Sequence, residues 1–258
     1  MRRQTLDYGL AILALLAIWQ LASWAISLVL PPLQARILPG PIQAISVFGS
    51  HWQNIGGHFL GTGYRLLAAL GISILLAVPL GLVMGHERWA RRWLTPLVYT
   101  AYPIPKVVFW PIIFMALGPT AVISKIAFIV LVVFFQLLVS VRDAAANLPK
   151  DYVLSALAAG VSRLGVYWHV VLPGALPAVF SGLRISLGLG IFAVYLSETV
   201  IGGGSSPYAG LGFYITNSFN IFDFGKVFAG IMAIALLGLL LYLVIEGLER
   251  WLCRWKDL

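Results

Sequence analysis

Six long apolar stretches alternate with shorter polar segments along this chain of 258 residues. They cover about residues 8–30, 66–85, 93–117, 120–141, 176–202 and 227–245. Each is close to or above the roughly 20 residues that a helix needs to cross a hydrocarbon core about 30 Å thick. None shows the strict two-residue alternation of a half-buried strand. The pattern predicts an all-α integral membrane protein with six transmembrane helices. The segment 34–61, rich in Gly, Pro and His, is expected on the outer face, with a short amphipathic helix near 42–52. No stretch is polar enough, for long enough, to form a separate soluble domain. Residues 1–60 read as an extra first helix and its external loop. Residues 61–258 read as the membrane core, with a polar loop at 142–174.

Prolines mark where the spans depart from ideal helices. Pro79 falls in the second stretch, and Pro103, Pro105 and Pro111 fall in the third. Each removes a backbone donor and frees a carbonyl, which a bilayer tolerates only where protein or water satisfies it. The third stretch is therefore expected to line the interior rather than to face lipid. Gly81-x-x-x-Gly85 and Gly188-x-Gly190 are small-residue patterns that let helices approach closely.

Composition supports the membrane assignment. Hydrophobic residues make up 60% of the chain and charged residues only 10%, with mean hydropathy +0.94. A soluble domain carries about 25% charged residues. The net charge of +8 points to topology, not to nucleic acid. Arg2, Arg3, Arg88, Arg91, Arg92, Arg142, Lys150, Arg163, Arg250, Arg254 and Lys256 all fall in segments on one side of the six-span pattern. Arg36, Lys125, Lys226 and Arg65 are assigned to the other. Such a bias places both termini in the cytoplasm of a bacterial inner membrane. The stretch 8–30 exceeds the core of a cleaved signal, about 7–15 residues, so it is expected to be a retained helix. The single cysteine, Cys253, offers neither a disulfide nor a metal cluster.

The cytoplasmic segment 151–173, DYVLSALAAGVSRLGVYWHVVLP, is the most informative. Residues 153–159 are apolar and uncharged but far too short to span. Asp151 is a candidate N-cap and Gly160 a candidate left-handed terminator. Ser162 can cap a second short helix, and Pro173 and Pro177 mark re-entry into the membrane. The expected shape is a helix–Gly–helix knuckle whose greasy face needs a partner to cover it.

This segment resembles the cytoplasmic motif of binding-protein-dependent ABC importer permeases: E-A-A, three residues, Gly, nine residues, I-x-L-P. Ser155 and Ala156 stand at the two Ala positions, Gly160 at the Gly, and Val170-Val171-Leu172-Pro173 at the end. Leu154 stands where the motif has Glu. Pro103-Ile-Pro105-Lys106, the run from Pro111 to Gly118, residues 175–186 (ALPAVFSGLRIS) and Gly210-Leu211-Gly212 resemble the nitrate/sulfonate/taurine-type branch. The resemblance implies a type I importer permease fold and a coupling helix docked on an ATPase subunit, with Leu154, Ser155, Ala156, Gly160, Arg163 and Pro173 as the coupling residues. It also implies two ATP-binding subunits, a second permease copy and a periplasmic substrate-binding protein. ATP and Mg would sit on the partner ATPase. The chain has no G-x-x-x-x-G-K-[ST] loop of its own, and no cofactor is expected on it.

Lys106, Arg184 and Glu198 are read as ionisable residues inside spans. Intramembrane charges usually face a bundle interior or water. Lys106 either attracts an anionic solute or pairs with Glu198 or a carbonyl. Glu198 is a gate residue or that partner, and Arg184 snorkels or holds the loop. Phe109, Trp110, Phe114 and Tyr195 could line a passage for a planar solute. The glycine-rich 202–207 loop reads as a linker. The resulting expectation is an importer permease for a small anionic or planar organic solute, not itself an enzyme. Two other readings are a stand-alone carrier or channel, which leaves the knuckle without purpose, and an intramembrane enzyme. The four histidines lie in loops or at span ends and there is no Gly-x-Ser-x-Gly elbow, so an enzyme lacks a nucleophile with its base.

Overall fold

Apolar runs with no water to compete for their backbone groups fold as helices, the one open-chain solution that satisfies every amide in lipid. The computed structural model describes residues 2–31, 36–118, 121–200 and 208–257; Pro32, Pro119 and the 202–207 loop lie outside them. Its helices are α1 (Arg2–Val29), α2 (Pro41–Ser50), α3 (Trp52–His86), α4 (Arg88–Ala101), α5 (Trp110–Leu117) and α6 (Val122–Ala146). They continue with α7 (Lys150–Ala158), α8 (Arg163–Val166), α9 (Leu172–Val200), α10 (Leu211–Asn220) and α11 (Phe224–Leu252). Lys106–Phe109 is a 3-10 turn, and Tyr167–Val171 is a π-helical segment joining α8 to α9. No strand occurs among the described residues.

Four helical runs among the described residues are long and apolar enough to cross a membrane: Trp52–His86, Val122–Ala146, Arg163–Thr199 and Phe224–Leu252. A fifth is the bent pair Arg88–Ala101 with Lys106–Leu117. In α1 the apolar stretch Leu13–Val29 is shorter, with a rise of about 26 Å, and lies in a helix of 28 residues.

The third span is not the single helix that 93–117 suggests. It breaks at Tyr102–Pro105 and turns by 84°. Pro103 and Pro105 lack the amides that would carry α4 onward, and Pro111 sits in the first turn of α5, where a missing donor costs nothing. Pro79, by contrast, lies inside an unbroken α3.

The chain divides into two units, Met1–Gly61 with Gly203–Ala235, and Thr62–Gly202 with Leu236–Leu258. In the first, Ile55, Leu211, Tyr214, Ala229 and Ala233 form a buried cluster flanked by Val47 and Phe59. Trp19 stacks on Phe228 with ring centroids 5.6 Å apart. In the second, α6 packs along α9 and also meets α3. Glycines set the spacing. A Cβ on Gly85 would lie 2.5 Å from Ala145 Cβ and 2.6 Å from the Arg142 carbonyl, and one on Gly81 would lie 2.8 Å from Val141. Gly190 faces Leu66 and Val133 at similar range, whereas Gly188 has open space.

A candidate coupling knuckle and a broken span

Pro149 opens the knuckle at the N-cap of α7, so Asp151 lies in the first turn and not at the cap, as its side chain alone suggested. There its charge still favours the positive helix end. The other end of α7 closes as a Schellman motif. The Val161 amide donates to the Ala156 carbonyl (3.1 Å) and the Gly160 amide to Leu157 (3.0 Å). Gly160 has φ +82°, the left-handed conformation expected of it. Ser162 then caps α8, its Oγ accepting from the Gly165 amide at 3.1 Å. The start of α9 backs onto the base of the knuckle: a Cβ on Gly174 would meet Leu148 at 2.5 Å. Pro173 follows directly on the π-helical turn, inside the helical run Arg163–Thr199.

No residue of α7 is buried. Tyr152, Leu154 and Leu157 are 60%, 61% and 43% exposed, and Ser155, Gly160 and Arg163 are exposed beside them, with Ala156 half-buried. A helix this apolar and this uncovered has to meet another surface.

The intramembrane charges are arranged differently from the pairing considered for Lys106 and Glu198. Glu198 is fully buried and meets Arg65, Nη1 to Oε1 2.7 Å. Thr62, one turn before Arg65, donates its hydroxyl to both carboxylate oxygens (3.0 and 2.8 Å). Lys125, 1% exposed on α6, completes a buried cluster of two cations and one carboxylate. Arg65 and Lys125, which charge counting assigned to the outer side, are thus buried within helices. The opposite signs inside apolar helices were the available signal; the separation of 133 residues hid it.

Lys106 caps the break. Its ammonium donates to the carbonyls of Ala101 (2.9 Å), Tyr102 (2.8 Å) and Ile104 (2.7 Å), which occupies all three protons. It also lies 4.7 Å from the centroid of the Phe135 ring. The Tyr102 hydroxyl donates to Gln136 Oε1 at 2.6 Å, tying the break to α6. Two cavities flank it. One of about 520 Å³ is lined by Lys106, Phe109, Phe134 and Phe135. The other, about 380 Å³, is lined by Tyr102, Lys106, Phe135, Gln136 and Phe192. Trp110 packs on Phe114 with ring centroids 5.0 Å apart, and Tyr195 is half-buried on α9, one turn before Thr199. Arg184 pairs with Glu249 of α11 and also reaches Ser181.

These features meet known proteins at one place. Residues 77–254 match the family of binding-protein-dependent transport system inner membrane components. The taurine transport system permease protein TauC of Escherichia coli K12 is 30% identical over 98% of this chain and 90% of its own. The riboflavin transport system permease protein RibX of Chloroflexus aurantiacus is 29% identical over 92% of this chain and 87% of its own. The nitrate import permease protein NrtB of a Synechocystis strain is 26% identical over 93% of this chain and 86% of its own. The fold is that of a chain in a bacterial alginate ABC transporter solved with its alginate pentasaccharide-bound periplasmic protein. The TM-score is 0.58 at 16% identity, over 98% of this chain and 96% of that one. With the knuckle motif, the broken span and these matches in agreement, the chain belongs to the binding-protein-dependent ABC importer permeases, in the branch of the taurine, sulfonate and nitrate systems.

Proposed function

We propose that this chain forms the translocation pathway of an ATP-driven importer for a small anionic or planar organic solute. The observation that carries the reading is the uncovered α7 knuckle, continuous through α8 and the π segment with the membrane run that ends at Thr199. Two ATP-binding subunits would dock on Leu154, Ser155, Ala156, Gly160 and Arg163, with Pro173 anchoring the knuckle. ATP and Mg would be bound there and not on this chain. A second permease copy would complete the pathway, and a periplasmic binding protein would deliver the solute. Both termini would be cytoplasmic. Residues 1–60 would serve as an added helix and external loop beside the core.

Lys106, Phe109, Trp110, Tyr195 and Glu198 are proposed for the pathway in two different capacities. Phe109, Trp110 and Tyr195 offer aromatic surface to a planar solute. Lys106 and Glu198 hold the backbone and helices around it. The solutes named for these relatives, taurine, riboflavin and nitrate, support the solute class.

The test is copurification followed by transport. A tagged chain should bring down an ATP-binding subunit, and reconstituted vesicles should take up solute only with ATP and binding protein. Uptake by the chain alone without ATP would make it a carrier and overturn the proposal.

A further inference from the structure

The turn between α3 and α4 faces the start of α8 across a cleft of about 490 Å³. Arg88 and Trp89 line it from the turn, and Leu157 and Arg163 from the knuckle. Glu87 and Tyr167 also line it and satisfy each other, the Tyr167 hydroxyl donating to Glu87 Oε1 at 2.7 Å. Neither Arg88 nor Arg163 has a carboxylate partner among the described residues, and both are exposed. Two unengaged guanidinium groups thus oppose one engaged carboxylate.

The cleft sits where apolar helices end. His86 is the last residue of α3, and Tyr167 opens the segment that runs into α9. Trp89 begins a stripe with Trp93 and Leu97, four residues apart on α4 and 59%, 67% and 68% exposed. Arg88, Arg91 and Arg92 flank that stripe. An apolar stripe with Trp, bordered by arginines, suits the boundary between headgroups and acyl chains. Guanidinium forks bind phosphate through paired charge-assisted hydrogen bonds.

We propose that this cleft holds the phosphate of an anionic phospholipid between Arg88 and Arg163, with the Trp89–Trp93–Leu97 stripe against its acyl chains. The site joins the first cytoplasmic turn to the knuckle, so bound lipid would brace the element that meets the ATPase. Lipid binding itself does not depend on the transport assignment.

The full chain in detergent is titrated with phosphatidylglycerol and with phosphatidylcholine, and bound lipid is counted by native mass spectrometry. Phosphatidylglycerol should bind in preference. Arg88→Gln with Arg163→Gln should weaken it about 25-fold, from about fivefold for each arginine near an anionic headgroup. Each single variant should show its own fivefold loss. Arg250→Gln, which removes an exposed arginine paired with Glu246, should change nothing. Equal affinity for the two lipids, or an unchanged affinity in the double variant, overturns the proposal. Displacement by millimolar inorganic phosphate would identify a free-anion site instead. Loss of the lipid on assembly with the ATPase subunits would assign the cleft to that interface.

Discussion

Glu198 shows how one buried residue can decide stability. Removing one partner of a buried ion pair costs about 3–5 kcal/mol, because the other charge stays behind. Glu198→Gln removes the carboxylate that meets Arg65 at 2.7 Å beside Lys125, so a large drop in thermal midpoint is expected. Arg65→Met combined with Glu198→Leu should recover much of it. A double variant as unstable as the single one would show that the pair is not the cause. Lys106 has a different test. If its ammonium caps three carbonyls, Lys106→Met should lower stability and maximal uptake together. A pure rise in KM for uptake, at unchanged stability, would instead give Lys106 to the solute. Asp223 gives a pH dependence. Burial alone would raise its carboxyl, but hydrogen bonds from Lys226 and the charges of Lys226 and His51 outweigh it and hold the group below its ordinary value. A depressed folded value adds stability above the unfolded value, about 3.9, that is lost as pH falls through the folded one. The melting midpoint should therefore drop below about pH 4, and Asp223→Asn should flatten that part of the curve. Local chemistry was readable at this scale: Gly160 and Ser162 act through their own backbone or next turn. Asp151 was misplaced because the cap fell to Pro149, and the Arg65–Glu198 pair needed the helices brought together first.

At the scale of elements, the crossing of α3 and α6 depends on absent side chains. Gly85→Leu must displace the Ala145 methyl and the Arg142 carbonyl, and overpacking of this kind costs about 1–3 kcal/mol or more. A Cβ on Gly188 meets nothing within 4 Å, so Gly188→Leu should be neutral. Equal melting midpoints for the two variants would refute the assigned crossing. The G-x-x-x-G spacing announced this contact, since it places both glycines on one helix face. The bend in the third span was legible only in part. Prolines marked the site, but at the 84° turn it is Lys106 that gathers the carbonyls of Ala101, Tyr102 and Ile104.

For the molecule as a whole, hydrophobic length and charge bias sufficed for an all-α membrane protein, because both are summed over many residues and survive local error. The unbroken passage from α8 through the π segment into α9 could not be read, since Pro173 and Pro177 mark only re-entry into the membrane. Its consequence concerns phase. Each residue of an α-helix advances the chain by about 100° of rotation. A π segment holds one extra residue per turn, so it absorbs that residue with little change in the angle between knuckle and span. Deleting a single residue within Tyr167–Val171 would leave every helix intact. It would also leave α7 aimed as before, whereas deleting one residue from the regular α stretch of α9 would turn α7 by about 100° and give a permease that inserts but takes up no solute.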